Sequence, residues 1–222
     1  MKKIKIILLL ICFATINSAV LNAQKINEGK VVYEISYPDA DIPDEQLAMM
    51  PTESSIQFKG TQSRLDMAMG MGMSMIMIFD GKEKTSTTLM DMMGSKTATK
   101  MTEQDMKEEK EKKGIKDPQV KLTDETKTIA GYVCKKAVIT TEDGSFDVFY
   151  TNDIENKSQW EERYKGLNGF LMEYQMKQGP MTMKMVAKSV GKEKVDEKIF
   201  EIPADYKMMT KEEMKKMYGG GQ

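Results

Sequence analysis

Met67, Met69, Met71, Met73, Met75 and Met77 occupy every second position, and Met181, Met183 and Met185 repeat the spacing. Successive side chains on a strand point to opposite faces, so this period commits the chain to β-structure and lines a sheet face with thioethers. Methionine supplies 23 of the 222 residues, so the lining dominates the chain. Burying a methionine gains roughly 1.5 to 3 kcal/mol, while freezing its rotamers costs up to about 2 kcal/mol. A face built this way gains little rigidity for its apolar area and adapts to what it meets.

Two hairpins set the register of that face. A three-residue loop of Gly70, Met71 and Gly72, with glycine in the left-handed position, pairs Met69 with Met73, Met67 with Met75 and Leu65 with Met77. A two- or four-residue loop would split the set between the two faces. Ile76 and Ile78 then lie on the reverse face, so the strand is expected to be covered on both sides, as a central strand under a helix is. In the second hairpin, a loop of Lys177, Gln178, Gly179 and Pro180 pairs Met176 with Met181, Tyr174 with Met183 and Met172 with Met185. The same register sets Glu173 opposite Lys184 on a reverse face that is expected to meet water.

The remaining chain reads as a meander. Residues 29–37 alternate Val31, Tyr33, Ile35 and Tyr37 with Val32, Glu34 and Ser36, a strand with one apolar face. Prolines bracket 38–51, a loop with one short helical turn around 44–50, placed to form a flap over the sheet. Further strands are expected at 54–59, 63–69, 73–80, 84–89 and 96–101. A charged helix over 102–113 is capped by Thr102, and strands follow at 120–122, 126–129, 133–141 and 146–151. Thr210 and Glu213 form a capping box for a last helix carrying Met214, Met217 and Tyr218.

Lys2, Lys3 and Lys5 precede an apolar run over 6–16, and Ala23 offers a small residue before Gln24. This reads as a secretory signal over 1–23, leaving 24–222 as a single domain. The run is too short to span a bilayer, and no other stretch approaches the roughly 20 apolar residues that spanning needs. A soluble protein of the periplasm or the extracellular space is expected. Without the three signal lysines the balance is 30 Lys and Arg against 34 Asp and Glu, which gives no electrostatic reason to expect nucleic acid.

The absences narrow the chemistry further. The chain has no histidine, which removes Ser-His-Asp and Cys-His catalysis, the common zinc-hydrolase sites and the usual general base. Cys134 is the single cysteine beyond the signal, so neither an internal disulfide nor a C-x-x-C site can form. It reads as a small buried hydrophobe, with a reactive thiol as the alternative. Glu161 and Glu162 read as solvated charges, and Trp160 as a packing anchor rather than a sugar platform. No catalytic residue, no cofactor and no enzyme activity is expected, and the oligomeric state is not encoded.

Three uses of the methionine faces are open at this level. The lining can be a loosely specified core of a structural envelope domain. It can form an apolar groove, built from Leu65, Met67, Met69, Met73, Met75, Met77, Met172, Tyr174, Met176, Met181, Met183 and Met185, that holds a lipid or a lipidated protein. It can also bind Cu(I) through Met67, Met69, Met71, Met73 and Met75, because thioethers are soft ligands. Residues two apart on one strand lie roughly 7 Å from one another, so a metal would need the flexible glycine turn. The carrier reading is the principal expectation and copper handling the runner-up.

The chain reads T-K-T-I-A-G-Y-V-C-K-K-A from Thr126, F-D-V-F-Y-T-N-D-I from Phe146 and G-L-N-G-F-L-M-E-Y from Gly166. It resembles the family called domain of unknown function 4412, small exported proteins of Bacteroidetes-type bacteria. The resemblance implies an α+β fold: a curved antiparallel sheet, a half-open barrel with a few helices against its concave face, similar to the lipoprotein carrier LolA and its receptor LolB. It carries over no catalytic residue and implies lipid binding at the level of fold alone.

Overall fold

Short strands joined by tight turns make up most of the chain. The computed structural model describes residues 25–38, 40–158, 164–178 and 181–218. In order these form β1 (Glu28–Ser36), the helical turn α1 (Asp44–Leu47), β2 (Glu53–Lys59), β3 (Gln62–Met69), β4 (Met73–Asp80), β5 (Thr85–Met92) and β6 (Ser95–Thr102). Helix α2 (Glu103–Lys112) leads to β7 (Gln119–Ile129), β8 (Tyr132–Thr141), β9 (Gly144–Thr151), β10 (Phe170–Gln178) and β11 (Met181–Gly191). A 3-10 turn (Glu197–Phe200), β12 (Lys207–Met208) and α3 (Lys211–Tyr218) complete the described chain.

All twelve strands join one sheet in the order β12-β6-β5-β4-β3-β2-β1-β11-β10-β9-β8-β7. It grows as two meanders, β1 to β6 and β7 to β11, which are sealed together where β1 pairs with β11, Ile35 against Met185. Neighbours run antiparallel except β12, which lies parallel to β6 with Lys207 beside Thr97.

The β3–β4 register is the expected one: Met69 faces Met73, Met67 faces Met75 and Leu65 faces Met77. The second hairpin differs. Gln178 pairs with Met181, Met176 with Met183 and Tyr174 with Met185, because Lys177 and Gln178 continue the ladder instead of forming the loop. The slip is of two residues, so every side chain keeps its expected face.

Alternate residues of β1 to β3 and of β8 to β11 gather into the larger core, with Tyr33, Phe58, Ile139, Val148, Met172 and Met185 all fully buried. Ile26, Ile154, Tyr164 and Leu167, from segments outside the long strands, close it over. A smaller core lies on the reverse of β4 to β6, where Ile78, Leu89 and Ala98 meet Val195 and Phe200. The β4 strand is thus covered on both sides, as Ile76 and Ile78 suggested, but a chain segment and a 3-10 turn supply the cover.

The expected half-open barrel with helices on its concave face does not form. α1 is 4 residues long and buries none of them, and α2 buries none of its 10. Only Met106 is apolar on α2, so this helix has no stripe with which to cover a sheet face. It is instead fixed by the Thr102–Asp105 capping box and by Lys211 of α3, whose Nζ lies 2.7 Å from Asp105. A wide, open, strand-dominated sheet replaces the α+β carrier architecture.

Candidate functional site: the methionine end of the sheet

The register collects methionines from separate hairpins at one end of the sheet. β3 turns into β4 through Gly70, Met71 and Gly72, with Met71 at φ +62° and Gly72 at φ +72°. β4 pairs Met75 with Met90 of β5, and the β5–β6 turn presents Met93 at φ +57°. The stretch after α1 comes to the same place, because the Gly70 amide donates to the Met49 carbonyl at 3.0 Å. Met71, Met93 and Met49 are 65%, 74% and 45% exposed, unusual values for large apolar side chains.

The sequence-predicted lining residues run from this end into the core. Leu65, Met67, Met172, Tyr174, Met183 and Met185 are buried, while Met69, Met73, Met75, Met77, Met176 and Met181 are half-buried. Of the five methionines considered for a metal, Met67 is buried in the core and Met71 projects from the turn tip. Sequence reasoning did not bring Met49, Met90, Met92 and Met93 into this group. The alternation of Met90 and Met92 was the available signal. Trp160, Glu161 and Glu162 lie outside the described residues, as does the segment over 1–23.

Space beside the buried part of this face is small. A cavity lined by Tyr33, Ile56, Tyr164 and Leu171 leaves about 10 Å³, room for about one water. Ligand pockets enclose roughly 300 Å³ or more. Tyr33 fills the centre: its hydroxyl donates to the Leu171 carbonyl at 2.6 Å and its ring meets Tyr174 edge-on at 5.7 Å. Burial pushes the Tyr33 hydroxyl well above the usual phenol range. Cys134 is buried too, its thiol pushed up to about 11 by burial, and its Sγ donates to the Tyr132 carbonyl at 3.4 Å.

The reverse face of β10 is not the water-facing surface expected. Glu173 is 7% exposed and sits between Lys127 of β7, at 2.5 Å, and Lys184 of β11, at 2.8 Å. Lys184 reaches it diagonally, since the direct partner of Lys184 is Gln175. Burial raises the carboxyl, but the hydrogen bonds from Lys127 and Lys184 outweigh it and hold Glu173 below the usual carboxylate range. Its sequence neighbours gave no hint of Lys127, which lies 46 residues away.

The sheet defines a class: a broad, open β domain of the kind found in the N-glycanase PNGF-II. The chain belongs to the family described as N-glycanase peptide, N-terminal domain, which matches residues 81–215. Two solved structures of PNGF-II, in C2 and P21 crystal forms, are similar to it with a TM-score of 0.54 in each. Identity is 16% and 15%, over 86% and 87% of this chain. The chain spans about a third of PNGF-II, 32% and 34% of the two chains. No curated protein matches it.

These findings overturn several expectations. The family is the N-glycanase N-terminal domain, not domain of unknown function 4412, and the fold is not LolA-like. The readings as a lipid carrier, a copper handler or a purely structural envelope domain fall with it. The expectation of no enzyme activity is overturned too, since the family takes its description from an N-glycanase. No helix among the described residues is long and apolar enough to cross a membrane.

Proposed function

We propose that this chain works in the removal of N-linked glycans, as an N-glycanase-type N-terminal domain that engages glycoprotein. The observation that carries the reading is the extent of the family match: residues 81–215 run from the β4–β5 turn through most of α3, so they include eight of the twelve strands. The similarity to PNGF-II extends beyond that segment to 86% of the chain. Residues 24–222 act as one domain, because both meanders share one sheet and the larger core spans their seam. Cleavage after Ala23 releases it to the periplasm or beyond.

The exported protein is incubated with a denatured N-glycoprotein and with its glycopeptides. Release of free glycan is read by mass spectrometry, and affinity for a glycopeptide is compared by calorimetry with that for the same peptide lacking the sugar. Glycan release, or a clear preference for the glycosylated form, supports the reading. A protein that releases no glycan and binds both peptides alike, or neither, refutes it.

A further inference from the structure

Methionine sulfurs are graded in depth from one end of the sheet inward, and the N-glycanase reading makes no use of that grading. Among the described residues the exposed methionines are Met49, Met71, Met93, Met208 and Met217. The first three lie at the end shared by the β3–β4 turn, the β5–β6 turn and the stretch after α1, with Met71 and Met93 65% and 74% exposed. Inward along the face comes the half-buried pair of Met69 and Met73. A row across three strands follows, Met67 against Met75 and Met75 against Met90. In that row Met75 and Met90 are half-buried and Met67 is buried.

Neither packing nor backbone preference accounts for methionine at the two turn tips. Met71 and Met93 hold left-handed backbone, at φ +62° and +57°, where glycine or asparagine sits with less strain. Their side chains are mostly in water, so burial gives them little. What methionine brings that glycine, asparagine and leucine do not is an oxidisable sulfur. A sulfoxide at a tip stays solvated, whereas the same oxygen on Met67, Met75 or Met90 would be carried into the apolar face with hydration lost. The fold thus sets its most accessible sulfurs where oxidation leaves packing intact, and the vulnerable ones behind them.

We propose that Met71 and Met93 form a surface oxidation site that consumes hydrogen peroxide and spares the thioethers of the sheet face. The sulfur lone pair attacks one peroxide oxygen, so that an S–O bond forms as the O–O bond breaks. The sulfur gives up two electrons and the peroxide is reduced by them. The departing hydroxide takes the proton of the transferred oxygen and leaves as water, so each sulfoxide formed removes one peroxide.

The test treats the full exported protein with limiting hydrogen peroxide and follows each methionine by peptide-mapping mass spectrometry. Met71 and Met93 are expected to gain oxygen roughly tenfold faster than Met67, Met172 and Met185 and several-fold faster than Met75 and Met90, since oxidation follows exposure. Protein oxidised at the tips alone should keep its Tm. Met71→Leu together with Met93→Leu keeps apolar side chains on the same backbone but removes both sulfurs. Under the same peroxide, oxidation at Met75 and Met90 of this variant should rise about twofold, and its Tm should fall. If the leucine pair itself unfolds the protein, the wild-type rates and the Tm of the tip-oxidised protein decide. Equal rates at the tips and at Met75 and Met90, a fall in Tm on tip oxidation, or unchanged oxidation of the face in a folded variant overturns the proposal.

Discussion

Gly70 and Met49 form a junction that allows no side chain at position 70. The Gly70 amide donates to the Met49 carbonyl at 3.0 Å, and a Cβ at position 70 would lie 2.8 Å from that oxygen and 3.0 Å from Met49 Cα. The contact ties the acidic α1 segment to the tip of the β3–β4 hairpin, which places Met49 beside Met71.

Gly70→Ala is therefore expected to destabilise the protein by about 1 to 3 kcal/mol, the usual cost of forcing extra volume into a close contact. Urea unfolding measures it as a lowered midpoint at constant slope. An unchanged midpoint would show that the α1 segment lifts away at no cost.

Glu173→Gln should remove the charge clamped by Lys127 and Lys184. With both lysines partly exposed, a loss of about 1 to 3 kcal/mol at neutral pH is expected. The folded carboxyl titrates below its usual range. Its contribution is thus fully present above the unfolded carboxylate pKa and is lost as pH falls through the folded value. The glutamine variant should show a shallower acid limb when stability is measured against pH. An acid limb as steep as that of the parent would contradict the assignment.

Cys134 should resist alkylation in the native protein. With its thiol pushed up to about 11 and its side chain buried, the thiolate needed for reaction is scarce at pH 8. Labelling with iodoacetamide should be slow in buffer and rapid in denaturant, read by intact mass. Fast labelling of the folded protein would place the thiol in the solvent.

Tyr33→Phe keeps the ring packed on Tyr174 but leaves the buried Leu171 carbonyl without this donor. A cost of about 1 to 3 kcal/mol is expected, and thermal unfolding reads it. A variant as stable as the parent would mean that another donor or a water takes over the carbonyl.

Legibility in the sequence followed the range of the interactions. The β3–β4 pairing was readable because strict alternation around a glycine-flanked turn leaves one register that keeps the methionines together. The second hairpin was misplaced by two residues because a shift of that size leaves the face of every side chain unchanged, so apolar pattern cannot detect it. The burial of Glu173 depends on Lys127 from a distant strand, and the cover of Ile78 on Val195 and Phe200. None of these leaves a local signal. The T-K-T-I-A-G-Y motif that suggested another family spans the β7–β8 turn, where Ala130 and Gly131 both take positive φ. It reports turn geometry and carries no chemistry that distinguishes one exported sheet from another.

The two borders of the sheet bear on how such a protein survives at high concentration. One ends in β12, whose 2 residues offer almost no backbone for an incoming chain. The other ends in β7, which is interrupted between Leu122 and Thr126 and studded with Lys121, Asp124, Glu125 and Lys127. Such breaks and charges discourage strand-by-strand growth. A ribbon this wide is thereby kept from seeding fibrils, even though its borders are not closed into a barrel.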